Sequence, residues 1–300
     1  MSDDDGWLTL SSGALSAQIS PLGAQLSSLR DASGHDLLWD GNPAFWIGRA
    51  PLLFPIVGAL AGGAYRVAGR SYALPRHGFA RDRRFEVLSA SRTAALLRLQ
   101  ADARTLAAYP FRFQLRLRFE IAGATLLVTA WVGNDGDAPM PASFGFHPAF
   151  RWPLPLGAPR AQHAIVFEVE EPAPIRRLNA AGLMTPVHHP TPIRARRLLL
   201  DDALFAEDAV ILDAVRSRQV SYGADTGPRL TVRFPDTPYL GIWSKPGAPF
   251  VCIEPWHGMA DPVGFTGDIL EKPGIFIVPP AAQREIGMQV ILTEETREAP

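Results

Sequence analysis

An all-β fold of antiparallel sheets is what this 300-residue sequence predicts, and three observations predict it. Apolar residues recur with a period of two, short apolar runs are separated by turn residues along the whole length, and a helical period is hard to find. Phe111, Phe113, Leu115, Leu117, Phe119 and Ile121 fall on one face of a candidate strand, with Arg112, Gln114, Arg116, Arg118 and Glu120 on the other. That is the pattern of a half-buried strand with one wet side. Gly123 follows in a turn, and residues 125–132 form a β-rich return strand carrying Trp131. Gly133-Asn134-Asp135-Gly136 then supplies residues that tolerate positive φ. An antiparallel hairpin is the natural reading.

Similar short runs recur at residues 8–10, 15–19, 25–29, 95–100, 165–169, 220–222, 230–234, 240–243, 250–254, 275–278 and 289–292. The 26 Gly and 28 Pro are spread along the chain and punctuate nearly all of them. Two stretches carry a helical expectation: residues 105–109, stopped by Pro110, and residues 198–210, which read equally as loop and turn. Many short strands with few helices predict a sandwich or barrel. With no internal repeat and no dividing linker, residues 1–300 are expected to form one domain. The Pro-rich residues 172–192 are expected as an excursion on the rim of a sheet.

Composition narrows the function classes. A hydrophobic content of 47% with 20% charged residues supports a large core in a soluble globular protein. The net charge of −1 gives no electrostatic case for nucleic acid or an anionic membrane. No uninterrupted apolar stretch is long enough to span a bilayer. The start, Met1-Ser2-Asp3-Asp4-Asp5, lacks the basic residues and apolar run of a signal peptide. The single cysteine, Cys252, permits no internal disulfide and fits a reducing compartment. A cytoplasmic protein, monomeric or homodimeric, is the expectation.

Three segments carry the chemistry. In Phe250-Val251-Cys252-Ile253-Glu254-Pro255-Trp256-His257, an apolar strand delivers a carboxylate and is expected to break at the proline. Alternation points Phe250, Cys252 and Glu254 one way and Val251 and Ile253 the other. If Glu254 faced open solvent, Phe250 and Cys252 would be exposed with it; a partly enclosed cleft reconciles the three. There, desolvation would raise the carboxylate pKa toward that of a useful base. A strand-end salt bridge is the competing reading. His147, in Phe144-Gly145-Phe146-His147-Pro148-Ala149-Phe150, is either a proton donor in an aromatic setting or a core histidine satisfied by a carbonyl. His77 precedes Gly78, which suits a tight turn or a close backbone approach. Arg76, Arg81, Arg83 and Arg84 flank it, and Arg83 and Arg84 read as a solvated basic loop. Trp256, Trp243 and Phe79 are candidate platforms for a sugar ring. His188-His189 makes a poor chelate and no Cys/His set has zinc spacing, so no metal is expected. Cys252, mid-strand among apolar residues, reads as a small core residue.

In order and spacing these segments resemble the aldose 1-epimerase (galactose mutarotase) superfamily, in the branch of LacX-type proteins. Further landmarks are Pro21-Leu22-Gly23-Ala24-Gln25-Leu26, Leu38-Trp39-Asp40-Gly41 and Pro51-Leu52-Leu53-Phe54-Pro55-Ile56-Val57-Gly58. The resemblance implies a β-supersandwich and a cofactor-free reaction on a small sugar. It implies that His147 is the catalytic acid, Glu254 the base and His77 a second histidine contacting the sugar. Asp208 is matched to the family's sugar-binding aspartate, with Asp202 as competitor. Galactose mutarotases proper carry an Asn-Arg pair in the segment equivalent to residues 56–60. Here that segment is Ile56-Val57-Gly58-Ala59-Leu60, and Arg81 is the candidate substitute.

The expected function is interconversion of the α and β anomers of an aldose, with Trp256 against a ring face. A hexose 6-phosphate is the competing substrate. A non-catalytic sugar-binding protein is one rival reading, and a glycoside hydrolase pairing Glu254 with Asp261 is the other.

Overall fold

In a computed structural model, which describes residues 6–155 and 158–293, the chain is an all-β sandwich. The largest sheet has nine strands, in the order Arg197–Leu199, Ala164–Phe167, Gln219–Gly223, Arg229–Arg233, Gln283–Thr293, Thr125–Asn134, Phe113–Ala122, Ala94–Gln100 and Glu86–Ala90. The hairpin anticipated from alternation lies inside it. Phe113–Ala122 pairs antiparallel with Thr125–Asn134, and Gly123 takes φ +54° in the turn. Phe113, Leu115, Leu117, Phe119 and Ile121 are buried. On the wet face Arg118 and Glu120 pair at 2.7 Å, and the Arg116 guanidinium lies 5.5 Å from the Trp131 ring of the partner strand.

A second sheet of six strands carries the site. Val210–Leu212, Tyr239–Trp243, Phe250–His257, Phe144–Phe146 and Leu52–Leu53 follow in order, and Ala149–Arg151 adds to the same edge of Phe250–His257. Val251, Ile253, Leu240 and Ile242 share one hydrophobic core with Leu115, Val128 and Val290 of the larger sheet. The six-stranded sheet is covered on its other face as well. Phe250 and Cys252 join Trp39 and Ala149 in a separate aromatic cluster, against which Trp46 and Trp243 pack. Burial on both faces explains why Phe250–His257 reads as a nearly continuous apolar run.

That strand does not stop at Pro255, as the sequence suggested; it continues to His257. The N–H of Ile253 points to the Pro148 carbonyl, 3.2 Å away. Two residues on, residue 255 faces the same side, opposite Phe146, where the neighbouring strand ends, so its missing N–H falls at the terminus of that pairing.

Within the predicted residues 105–109, 105–108 belong to a helix, Ala103–Ala108, fixed by a capping box, with Tyr109 as its extended C-cap. Asp102 Oδ1 accepts from the Thr105 N–H at 2.7 Å, and Thr105 Oγ1 accepts from the Asp102 N–H at 2.8 Å. Residues 198–210 form no α-helix. A strand end, a 3-10 turn at Asp202–Phe205 and the strand Val210–Leu212 replace it. Asp201 caps the turn, and Asp208 at φ +65° takes the chain out of helical space. Residues 172–192 hold only isolated bridges, and from this excursion Leu178 and Met184 reach the wall of a cavity on the six-stranded sheet.

Candidate active site

The site grows from register. Gly145 pairs with Trp256 and Ala149 with Cys252. In that register His147 stands directly across from Glu254, and directly opposed residues present their side chains on one face. His147 Nε2 lies 3.2 Å from Glu254 Oε2, with the two side chains 9% and 3% exposed. On the other flank Gly241 pairs with Glu254, leaving the floor open there. Gly145 and Gly241 are also the seats for an indole. A Cβ on Gly145 would lie 2.7 Å from Trp256 Cδ1, and one on Gly241 2.5 Å from Trp256 Cζ2 and Cη2. Only side-chain-free positions let Trp256 lie flat along the sheet beside the carboxylate.

The remaining walls come from loops. His77 takes φ +69° and Gly78 φ +73° in a tight turn. A Cβ on Gly78 would lie 2.2 Å from the Phe54 carbonyl oxygen, so the close approach is reserved for glycine. The Gly58 N–H donates to His77 Nδ1 at 3.1 Å, and the His77 N–H donates to the Gly58 carbonyl at 2.9 Å. Two such contacts hold a histidine in a backbone region that few non-glycine residues occupy. Arg81 rides on the 3-10 turn Ala80–Asp82, and Arg76 precedes His77. Asp208, left-handed, has its carbonyl held by Arg177 Nη1 at 2.8 Å.

Together these groups enclose a cavity of about 350 Å³. Three rings surround the His147 imidazole: Trp46 stacked at 5.0 Å and 30°, Trp243 edge-on at 6.1 Å, and His77 edge-on at 5.9 Å. His147 Nδ1 has no hydrogen-bond partner among the described residues. The buried Trp256 Nε1–H has no acceptor among the described residues either, and its proximity to Glu254 favours the ionised carboxylate.

Burial dominates the electrostatics. It pushes the Glu254 carboxyl well above its usual range, against the pull of the Arg76 charge. Burial, reinforced by Arg76 and Arg81, pushes His147 down to about 3. His77 is lowered well below its ordinary value by burial and the nearby charges, so it is a neutral ring. Burial thus favours a proton on the Glu254 carboxyl over one on the His147 imidazole. His147, Cys252 and Glu254 place one ligand atom each within 4.8 Å of one another. Burial raises the Cys252 thiol well above its ordinary range, which suits a protonated packing side chain rather than a thiolate ligand.

A profile of the family described as aldose 1-epimerase matches residues 7–273. The chain belongs to the aldose 1-epimerase family. The LacX protein of Lactococcus lactis subsp. lactis (chromosomal form) is 34% identical over 278 residues, covering 89% of this chain and 92% of the relative. A galactose mutarotase related enzyme from Lactobacillus acidophilus superposes with a TM-score of 0.88 at 29% identity, over 98% of this chain and 99% of that one. A galactose mutarotase-like protein from Lactobacillus casei ATCC 334 gives 0.89 at 29% identity, over 96% and 100%. This aldose 1-epimerase family member thus falls in the LacX-like branch with its galactose mutarotase-like sandwich.

The six residues given a catalytic or sugar-contacting role from the sequence, Glu254, His147, His77, Arg81, Asp208 and Trp256, all line this cavity. Asp202 does not. Arg160 Nη2 holds it at 2.6 Å, and it caps the Gly247 N–H at 2.9 Å. Asp261 does not join Glu254 as a carboxylate pair; its oxygens are taken by Lys272 and the Ala61 N–H. Phe79 packs on Phe54, Tyr109 and Phe113 instead of offering a platform. Trp46 was missed, since nothing in its loop sequence distinguishes it from the fully buried Trp39 and Trp152. Met184 was hidden in the Pro-rich excursion, where no periodicity assigns a direction. Among the described residues no helix is long and apolar enough to cross a membrane.

Proposed function

We propose that the protein is an aldose 1-epimerase that interconverts the α and β anomers of a hexose or related aldose. The observation that carries this reading is the 3.2 Å separation of His147 Nε2 and Glu254 Oε2 on the floor of the cavity. The ring oxygen and the C1 hydroxyl share one carbon, so an acid and a base that serve both must lie side by side. A cavity of about 350 Å³ is near the small end of the usual ligand range of roughly 300–1,000 Å³, the scale of a monosaccharide.

The chemistry needs one proton on the pair. In the reactive tautomer Glu254 is a carboxylate and His147 an imidazolium. The carboxylate takes the C1 hydroxyl proton while the imidazolium gives its proton to the ring oxygen, and the bond from C1 to that oxygen breaks. The products are an open-chain aldehyde and a C5 hydroxyl. Rotation about C1–C2 presents the other carbonyl face. The C5 oxygen then re-forms its bond to C1, returning its proton to His147, and Glu254 returns a proton to the C1 oxygen. Burial opposes the imidazolium; the carboxylate at 3.2 Å and the face of Trp46 at 5.0 Å support it. His77 and Asp208 orient hydroxyls, and Trp256 covers a ring face and offers its free N–H.

A second reading, a hexose-6-phosphate mutarotase, is favoured by the arginines. Arg76 and Arg81 both reach the cavity, and their ion contacts are long: 4.0 Å from Arg76 to Asp208, and 3.8 Å from Arg81 to Asp82. Guanidinium groups so loosely paired suit a phosphate. Polarimetry on a panel of free aldoses and their 6-phosphates tests both readings. Acceleration of at least one aldose supports mutarotase activity, and a preference for the phosphates selects the second substrate class. Saturable sugar binding with no acceleration anywhere would leave a non-catalytic binding protein.

A further inference from the structure

One wall of the cavity is held from behind by a charge pair that the proton chemistry does not use. Asp261 Oδ1 lies 2.5 Å from Lys272 Nζ, with the side chains 4% and 1% exposed. A buried ion pair stabilises little on balance, because desolvation offsets the attraction. Burial indeed pulls the Lys272 ammonium below its ordinary range, and Asp261 pulls it back. The consequence of Asp261 lies in the hydrogen bonds it makes.

Asp261 Oδ2 accepts from the Ala61 N–H at 2.9 Å. Its own N–H donates to the Ala59 carbonyl, and its carbonyl accepts from the Met184 N–H, both at 2.9 Å. One residue therefore ties two cavity walls, the loop at 57–61 and the excursion at Met184, to the chain leaving the catalytic strand. The loop has no slack against that chain: a Cβ on Gly58 would lie 2.5 Å from Ala260 Cβ. Gly58 in turn sets His77. A ring nitrogen that accepts a backbone N–H is unprotonated, so the neutral His77 ring carries its hydrogen on Nε2.

We propose that Asp261, through its hydrogen bonds rather than its charge, is a positioning residue for sugar binding. Through Ala59, Ala61 and Gly58 it holds His77 in the tautomer whose Nε2–H serves as a donor to a sugar hydroxyl. The sugar part rests on the mutarotase reading of the cavity; the tautomer part is measurable without turnover.

Ala61→Pro isolates the link. Leu60, at φ −100° and ψ 147°, already has the extended backbone that a residue before proline adopts, and residue 61 opens a 3-10 turn, where proline is tolerated. The substitution removes the N–H that Asp261 accepts. Asp261→Asn/Lys272→Met is the companion variant; it keeps a carbonyl oxygen for Ala61 with neither charge. The readouts are KM, kcat and the ring 15N shifts of His77 by long-range 1H–15N NMR. Ala61→Pro is expected to raise KM about tenfold, the scale of one lost buried hydrogen bond, with kcat within about threefold. Its His77 signals should pass from a single Nε2–H tautomer to an averaged pattern. The companion variant, which keeps the acceptor oxygen, should keep the wild-type His77 pattern. Unchanged KM and signals in Ala61→Pro would overturn the proposal, as would loss of the His77 pattern in the companion variant. Should the wild type accelerate no aldose, the signals still decide. A hydrogen on Nδ1 of His77 in the wild type overturns the proposal, whereas an Nε2–H pattern lost in Ala61→Pro upholds it and leaves only the mutarotase reading refuted.

Discussion

Gly241→Ala sets two physical effects of opposite sign against each other. Gly241 lies within the strand Tyr239–Trp243 and is not among the positive-φ glycines, so its backbone accepts alanine without strain. In a strand, that exchange alone would stabilise by roughly 0.5–1 kcal/mol, through the smaller entropy lost on folding. The added Cβ, however, would lie 2.5 Å from both Cζ2 and Cη2 of Trp256. Relief requires the indole to lift off the sheet or the strands to part, and overpacking of this kind costs about 1–3 kcal/mol. The steric term is the larger, so a net loss of about 0.5–2 kcal/mol is expected. The functional effect follows from direction. Gly241 pairs with Glu254, so an indole pushed off its seat moves into the space where a sugar ring would stack. KM for the preferred sugar should rise by about five- to fiftyfold at roughly constant kcat, each tenfold being 1.36 kcal/mol. Thermal melts give the first quantity, and polarimetric kinetics give the second. A Gly241→Ala protein with wild-type stability and wild-type KM would refute the reasoning that the glycine exists to seat Trp256.

Glu254→Gln should melt at a higher temperature than the wild type at pH 8. The folded carboxyl has a raised pKa, so above about pH 4.5 the unfolded chain ionises more readily than the folded one and stability drains away with rising pH. Melts from pH 4.5 to 8 should show the gain from glutamine growing with pH; a gain that shrinks with pH would contradict the burial of an unpaired carboxyl. The wild type should lose stability as pH falls below about 6.5. His77, His147, His163 and His257 all have lowered folded pKa values, His147 near 3 and His257 near 4, so the unfolded chain binds protons first. Glu254 acts in the opposite sense over this window, one group against four, and a melting temperature that rises steadily from pH 6.5 to 5 would show the imidazoles to be accessible. Cys252→Ser should leave mutarotation within about threefold of the wild type, because the thiol is packed beneath the cavity and does not line it; loss of activity on this exchange, with the fold intact by circular dichroism, would give the thiol a role in the chemistry.

The sequence displayed whatever period two could carry. Phe113–Ala122, with one wet face, announces itself through alternating Arg and Phe. Phe250–His257 shows only a continuous apolar run, because both faces are covered, and its extension past Pro255 depended on pairing with Phe144–Phe146, which no local pattern reveals. The same limit applies to the site. His147 and Glu254 were each conspicuous among aromatics and prolines, but their apposition follows from the register of strands more than a hundred residues apart. Asp208 and Asp202 look alike in sequence. A left-handed backbone turns the first into the cavity, while Arg160 takes the second away. Trp46 reaches His147 from an irregular loop, where neither periodicity nor turn chemistry gives a side chain a direction.

A double-mutant cycle on His147 and Glu254, read by NMR exchange between the α and β anomers of the preferred aldose, bears most directly on the shared-proton pair. If the two groups act as a unit, His147→Ala and Glu254→Gln each lower the catalysed exchange by about a hundred- to ten-thousandfold, and the double variant is hardly slower than the worse single one. Independent losses that multiply in the double variant, or full exchange surviving in either single variant, would contradict it.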